Sequence, residues 1–156
     1  MSGRLKGKSA IVFGAGSSGP GWGNGKAAAV AFAREGARVA CIDLNADAAQ
    51  ETAEIIRSEG NQAIALPADV TDLASVEAAA AKTAEAFGGI GNLHNNVGVT
   101  HMGGPIELNE AQFQAALDLN IGPVYRTAKA VLPYMLEAGG GAIVNISSLA
   151  AIRYVG

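Results

Sequence analysis

The chain has 156 residues, of which 32 are Ala and 21 Gly, with 49% hydrophobic, 5% aromatic and 16% charged residues and a formal net charge of −3. That length suits a single core. The apolar content excludes a disordered polymer, and the lone Cys41 excludes a disulfide scaffold. No apolar run reaches the roughly 18 residues of a membrane helix, residues 1–8 form no signal segment, and no basic excess points to nucleic acid. The expectation is a cytoplasmic protein with a small-molecule partner and no membrane or nucleic-acid partner.

In chain order, Ser9-Ala10-Ile11-Val12-Phe13 is an unbroken run suited to a strand buried on both faces. A glycine-rich turn follows, then a helix over 26–35 closed by Gly36. Arg38–Asp43 is the second strand. Asn45 caps the next helix, with Ala49, Ala53 and Ile56 on its inner face and Gly60 at its end. Residues 63–66 form a third, short strand. Thr71 is expected to cap the following helix, with Asp72 in its first turn and Val76, Ala80, Thr83 and Phe87 facing inward up to Gly88-Gly89.

Residues 91–96 form a fourth strand, followed by a loop with Gly98, Gly103, Gly104 and Pro105. One long helix is expected from about 109 to 137, bending at Gly122-Pro123 rather than ending there, until Gly139-Gly140-Gly141 breaks it. Residues 142–146 are the fifth strand, with Ser147-Ser148 at its end. This alternation predicts an α/β fold: one domain over residues 1–156 with a doubly wound parallel sheet of five strands.

Chemistry concentrates first in Gly14-Ala15-Gly16-Ser17-Ser18-Gly19-Pro20-Gly21-Trp22-Gly23-Asn24-Gly25, between the first strand and the first helix. Glycines there let backbone lie against a pyrophosphate, and the helix N-terminus offers free N–H groups and the positive dipole end. Asp43 closes the second strand, where a carboxylate accepts from ribose hydroxyls and repels a 2′-phosphate, favouring NAD over NADP; the other role open to it is a turn or capping residue.

Several ordered motifs resemble the classical short-chain dehydrogenases/reductases. Asp69-Val70-Thr71-Asp72 is similar to the adenine-binding segment of that family, and Asn95-Asn96-Val97-Gly98 to its Asn-Asn-Ala-Gly motif. Asn120 stands at the catalytic-helix asparagine, and Ile143-Val144-Asn145-Ile146-Ser147-Ser148 is similar to the strand carrying the catalytic serine. The resemblance implies a Rossmann-type sheet of order 3-2-1-4-5, an oxidoreductase interconverting a secondary alcohol and a ketone, and a homo-oligomer, dimeric or tetrameric. It implies cofactor contacts at Gly14, Ser17, Gly23, Asn24, Gly25, Asp43, Leu44, Asp69, Val70, Asn96, Val97, Gly98 and Ile146, and catalytic roles for Ser148 and Asn120. Ser148 would polarise the substrate oxygen and the Asn120 backbone would hold a water of the proton relay. No metal site is expected.

Two departures stand out. The first loop carries about five extra residues, 18–22, and Phe13 holds a position usually small or Thr. Enlarged first loops also occur among enoyl reductases, so reduction of a C=C bond is one alternative reading, and a non-catalytic dinucleotide-binding module is another. Trp22 either covers this loop, the preferred role, or acts as a lid over the cofactor.

The second departure concerns proton transfer. The resemblance implies a tyrosine, its pKa lowered by a lysine four residues on, about a dozen residues past Ser148 and so near position 161, beyond Gly156. The chain therefore reads as the first three fifths or so of a family domain, inactive by itself, with an exposed sheet edge. Tyr125-Arg126-Thr127-Ala128-Lys129 matches the Tyr-x-x-x-Lys spacing but precedes the serine, so it is not taken as the pair. Tyr154 has no lysine partner and is expected in a substrate loop or in packing. His94 is expected in the core or at its rim, and His101 in the loop after the fourth strand.

Overall fold

The computed structural model describes residues 3–100 and 102–153. At its centre, β1 (Ser9–Phe13) is buried at every position. It is followed by α1 (Asn24–Arg34), β2 (Arg38–Asp43), α2 (Ala46–Ser58), β3 (Ala63–Pro67), α3 (Leu73–Phe87), β4 (Asn92–Asn95), α4 (Glu110–Asn120), α5 (Gly122–Glu137), β5 (Ala142–Asn145) and a 3-10 turn at Leu149–Ala151. The strands lie in the order β3-β2-β1-β4-β5, all pairs parallel, as the sequence implies. Strand order reverses direction between β1 and β4, which opens a crevice at the carboxyl ends of these strands.

Alternation along each strand divides the core into two layers. From β1, Ile11 and Phe13 pack with Val76, Ala80, Phe87, Val131 and Met135 of α3 and α5. Ala10 and Val12 face the other way, against Ala29, Val30, Ala33, Ala53 and Ile56 of α1 and α2. The second layer is built largely of alanine, so α1 and α2 lie close to the sheet, which accounts for much of the alanine in the composition.

Three boundaries differ from the sequence pattern. First, α1 begins at Asn24, two residues early, so Asn24 and Gly25 form its first turn instead of the loop. Second, Asp72, not Thr71, caps α3: its carboxylate accepts from the Ala74 N–H at 3.0 Å, because the Thr71 hydroxyl is already held by Asp69. Third, the long helix divides at Ile121 into α4 and α5, since Pro123 has no N–H to donate to the carbonyl four residues earlier. Strands β4 and β5 are also shorter than expected, ending at Asn95 and Asn145, so Asn96, Ile146 and the two serines lie just past the strand ends.

At the sheet edge all four residues of β5 are exposed, and α4 buries none of its residues. Among the described residues no helix is long and apolar enough to cross a membrane.

His94, on β4, is 7% exposed and meets Phe32 of α1 edge to face at 5.4 Å between ring centroids. Neither ring nitrogen has a hydrogen-bond partner among the described residues. Burial holds its pKa below the ordinary 6.5, keeping the ring neutral in the fold. As pH falls below 6.5 the unfolded chain gains a proton that the folded chain refuses until its lowered pKa is reached, so stability declines across that interval. Replacing His94→Leu is expected to abolish this component: the stability difference between pH 7.5 and pH 5.5, from urea unfolding, should be smaller in the variant. Equal differences would show that His94 does not set the acid sensitivity.

Candidate active site

The chain leaves β1 through Gly14, whose φ of +75° excludes most side chains and whose absent Cβ would stand 3.0 Å from the Asn96 carbonyl oxygen. Gly14 and Ala15 N–H both donate to the Ile42 carbonyl, at 2.8 and 2.9 Å. The Gly16 N–H donates to Asp43 Oδ2 at 2.9 Å, and the buried Thr52 hydroxyl donates to the Ala15 carbonyl at 2.8 Å. The loop entrance is thus held by β2 and α2. Ser17 closes the insertion at its neck, its Oγ accepting from Gly23 N–H at 2.8 Å and donating to the Gly21 carbonyl at 3.1 Å. Residues 18–22 therefore bulge outward between Ser17 and Gly23, all of them exposed, and Trp22 stands 59% exposed.

Helix α1 then starts without a side-chain cap at Gly23 and without an acidic residue in its first turn. By contrast, α2, α3 and α4 are capped by Asn45, Asp72 and Asn109 respectively. Among the described residues, the first-turn N–H groups and the positive dipole end of α1 are met by no capping side chain and no first-turn carboxylate. Gly25 in that turn is packed so closely on β1 that a Cβ would collide with the Gly14 carbonyl oxygen.

Asp43 is half-buried at the end of β2, with Oδ2 on Gly16 and Oδ1 accepting from Asn45 N–H at 3.0 Å. Leu44 beside it is 73% exposed. Past β3, Asp69 Oδ1 accepts from the Thr71 hydroxyl at 2.7 Å and its N–H at 2.8 Å. These bonds, with a smaller contribution from the Arg126 charge, hold its carboxyl below the usual range. The Asp69 N–H in turn donates to Ser75 Oγ at 3.0 Å, and Val70 is buried.

On the other side of the crevice, Asn96 N–H donates to the Phe13 carbonyl at 3.0 Å and its Nδ2 reaches the Gly14 carbonyl at 3.4 Å. The Val97 side chain approaches the same glycine. Asn120 grips the loop after Gly98 with its side chain: Oδ1 accepts from Val99 N–H at 2.9 Å, and Nδ2 donates to the Val99 and Ala116 carbonyls at 3.1 and 2.9 Å. In the register pair Asn95 and Asn145, Asn95 Nδ2 donates to Asn145 Oδ1 at 2.8 Å. Ile146 N–H continues the ladder to the Asn95 carbonyl at 2.9 Å, and the Ser148 carbonyl opens the 3-10 turn by accepting from Ala151 N–H. Tyr125 is 67% exposed on α5, with Lys129 Nζ 6.0 Å from its ring centre. His101 and Tyr154 lie outside the described residues.

A sheet of this order with a glycine loop between β1 and α1 is common to many dinucleotide-binding proteins, so the motifs past β3 decide the family. The sequence profile of the short chain dehydrogenases matches residues 8–155. The chain belongs to that family.

Among its relatives, the D-threitol dehydrogenase of Mycolicibacterium smegmatis is 42% identical over 148 residues, which are 95% of this chain and 55% of that protein. The 2,5-dichloro-2,5-cyclohexadiene-1,4-diol dehydrogenase LinX of Sphingobium indicum is 39% identical over 149 residues, 96% of this chain and 58% of the relative. A solved 7 alpha-hydroxysteroid dehydrogenase complexed with NADH and 7-oxo glycochenodeoxycholic acid superposes with a TM-score of 0.89 at 36% identity, covering 99% of this chain and 58% of that one. This short-chain dehydrogenase sequence thus spans little more than half the length of these relatives.

In this member of the family, two side chains that organise the crevice are not marked by any motif. Thr52 lies in the Ala49, Ala53, Ile56 stripe, where a hydroxyl among alanines is the only signal that something polar must be met inside. Arg126 lies within the Tyr125 to Lys129 segment and reaches back to the Val70 carbonyl at 3.3 Å. A hollow of about 560 Å³ lined by Leu5, Ala31 and Phe32 lies at the far end of α1, away from the strand carboxyl ends.

Replacing Gly25→Ala is expected to destabilise the chain by about 1–3 kcal/mol, since the new methyl meets backbone that cannot swing away. Urea unfolding measures this; a variant as stable as the parent would show that α1 is free to move off β1.

Proposed function

We propose that the crevice binds NAD and that the protein, at the full length of its relatives, interconverts a secondary alcohol and a ketone by hydride transfer. The uncapped N-terminus of α1 beside the glycine loop carries this reading, because it leaves backbone donors and positive dipole where a pyrophosphate needs them. Gly14, Ser17, Gly23, Asn24 and Gly25 would flank the pyrophosphate. Asp43 retains lone pairs for the adenosine ribose hydroxyls, with Leu44 bordering that sugar, and Asp69 and Val70 would meet the adenine. Asn96, Val97, Gly98 and Ile146 would border the nicotinamide.

Bound NAD supplies the hydride acceptor for alcohol oxidation. Ser148 would donate to and orient the substrate oxygen as the carbinol hydrogen departs as hydride, and Asn120 would keep the neighbouring loop fixed while its backbone orders a water. By the family resemblance, the hydroxyl proton would pass to a tyrosine whose pKa a nearby lysine lowers. The relatives act on diols and polyols by their names, which supports a hydroxylated small molecule as substrate. The C=C reductase alternative rests on the enlarged loop alone, and Ser17 closes that enlargement off.

Exposed Phe113, Leu117, Leu132 and Leu136 on α4 and α5 support assembly into dimers or tetramers. A cytoplasmic setting is supported by the single cysteine of the sequence, Cys41, which is a free thiol.

Calorimetry of the chain with NADH and NADPH tests the reading. NADH is expected to bind tighter by roughly tenfold or more, as a repelled phosphate and lost charge-assisted bonds at Asp43 are worth about 1.5–3 kcal/mol, and Asp43→Ser should narrow that gap. Binding of neither nucleotide, or a preference for NADPH, would overturn the assignment.

A further inference from the structure

Arg126 is a crevice-side cation that no catalytic or cofactor motif accounts for, and its position is specific. From the second turn of α5 its guanidinium reaches both the turn after β3 and the last turn of α4. Nη1 donates to the Val70 carbonyl and to the Asp118 carbonyl, each at 3.3 Å, one N–H for each acceptor. Nη2 is bound by the Asp118 carboxylate. The Arg126 side chain is one-fifth exposed. It lies where Gly122 leaves room, since a Cβ on Gly122 would run into Nη1 and stand 3.1 Å from the Asp118 carboxylate oxygen.

We propose that Arg126 is a positioning residue for the adenine end of the crevice: seated over Gly122 and oriented by Asp118, it holds the Val70 carbonyl and so fixes the Asp69-Val70-Thr71 turn. The inference rests on the reading of that turn as the adenine site. Val70 is the natural point to hold. Its carbonyl is taken by Arg126, while its N–H makes no hydrogen bond among the described residues and remains available to a base. The nearby positive charge also favours the ionised Asp69, in the same direction as the two bonds from Thr71.

The same helix junction governs the other end of the crevice, because Asn120, two residues before Gly122, grips Val99. The α4–α5 junction therefore touches both the adenine turn and the loop past Gly98. Lysine cannot replace arginine fully here: an ammonium keeps the charge but lacks the planar fork that spans two carbonyls and a carboxylate.

The test compares NAD with nicotinamide hypoxanthine dinucleotide, which is nearly the same size but lacks the exocyclic amine that Asp69 would accept from. In the unaltered chain NAD should bind about tenfold tighter than the analogue, measured by calorimetry. In Arg126→Gln and in Gly122→Ala the ratio should fall toward one, with Arg126→Lys between. Arg34→Gln, which removes an exposed ion pair with Glu59 on the far side of α1, should leave the ratio unchanged. A general loosening of the fold weakens both ligands alike and leaves the ratio at its original value, so the ratio separates positioning from stability. Gly122→Ala keeps every charge and carries the test if Arg126→Gln does not fold.

An unchanged ratio in the folded variants overturns the role of Arg126 alone. A ratio of one in the unaltered chain, or binding of neither nucleotide, overturns the adenine assignment beneath it.

Discussion

Among the described glycines, Gly25 leaves the least room for a side chain: it brings the backbone of α1 against the end of β1, facing the Gly14 carbonyl oxygen with no space for a side-chain atom between them. That contact sets the angle at which α1 leaves the sheet, and with it the direction of the helix N-terminus over the crevice. The alanine layer formed by Ala29, Ala33 and Ala53 continues the close approach along the helices. With the helix drawn in this tightly, the glycine loop is held by its N–H groups donating to Ile42 and Asp43 and by the Thr52 hydroxyl donating to the Ala15 carbonyl. A crevice shaped to backbone dimensions follows from small residues at a few positions, not from large side chains lining a pocket.

The other side of the crevice depends on polar clamps. Asn120 holds Val99, Asn96 reaches Gly14, and Arg126 joins Val70 to Asp118. Each clamp joins segments separated by tens of residues, so each ties distant parts of the crevice rim together rather than stabilising a local turn. The break between α4 and α5, caused by Pro123, is what places Asn120 and Gly122 where two of these clamps need them.

Much of this was legible in the residues. Strands β1 and β2 read as continuous apolar runs because both their faces are covered, and the Asn45 cap and the inward Val76, Ala80, Thr83 and Phe87 follow local rules that tertiary packing leaves undisturbed. The expectation failed where two local rules competed. Thr71 is a good cap, yet Asp69 takes its hydroxyl and Asp72 caps instead. A periodicity running from 109 to 137 looked continuous because Gly122-Pro123 interrupts hydrogen bonding without interrupting the helical path, leaving Ile121 helical at φ −107° and ψ −43°.

The sequence by itself determined the fold class, the strand order through its family motifs, and the residues that gather at the strand ends, because hydrophobic period, glycine placement and capping chemistry act over a few residues each. Only the tertiary structure decided how the five-residue insertion is closed by Ser17, that the Asn120 side chain is spent on Val99, and that Thr52 and Arg126 hold the two rims of the crevice. The physical reason is distance along the chain: Thr52 to Ala15 spans 37 residues and Arg126 to Val70 spans 56, and pairings of that range are set by how helices pack on the sheet, which no local pattern encodes.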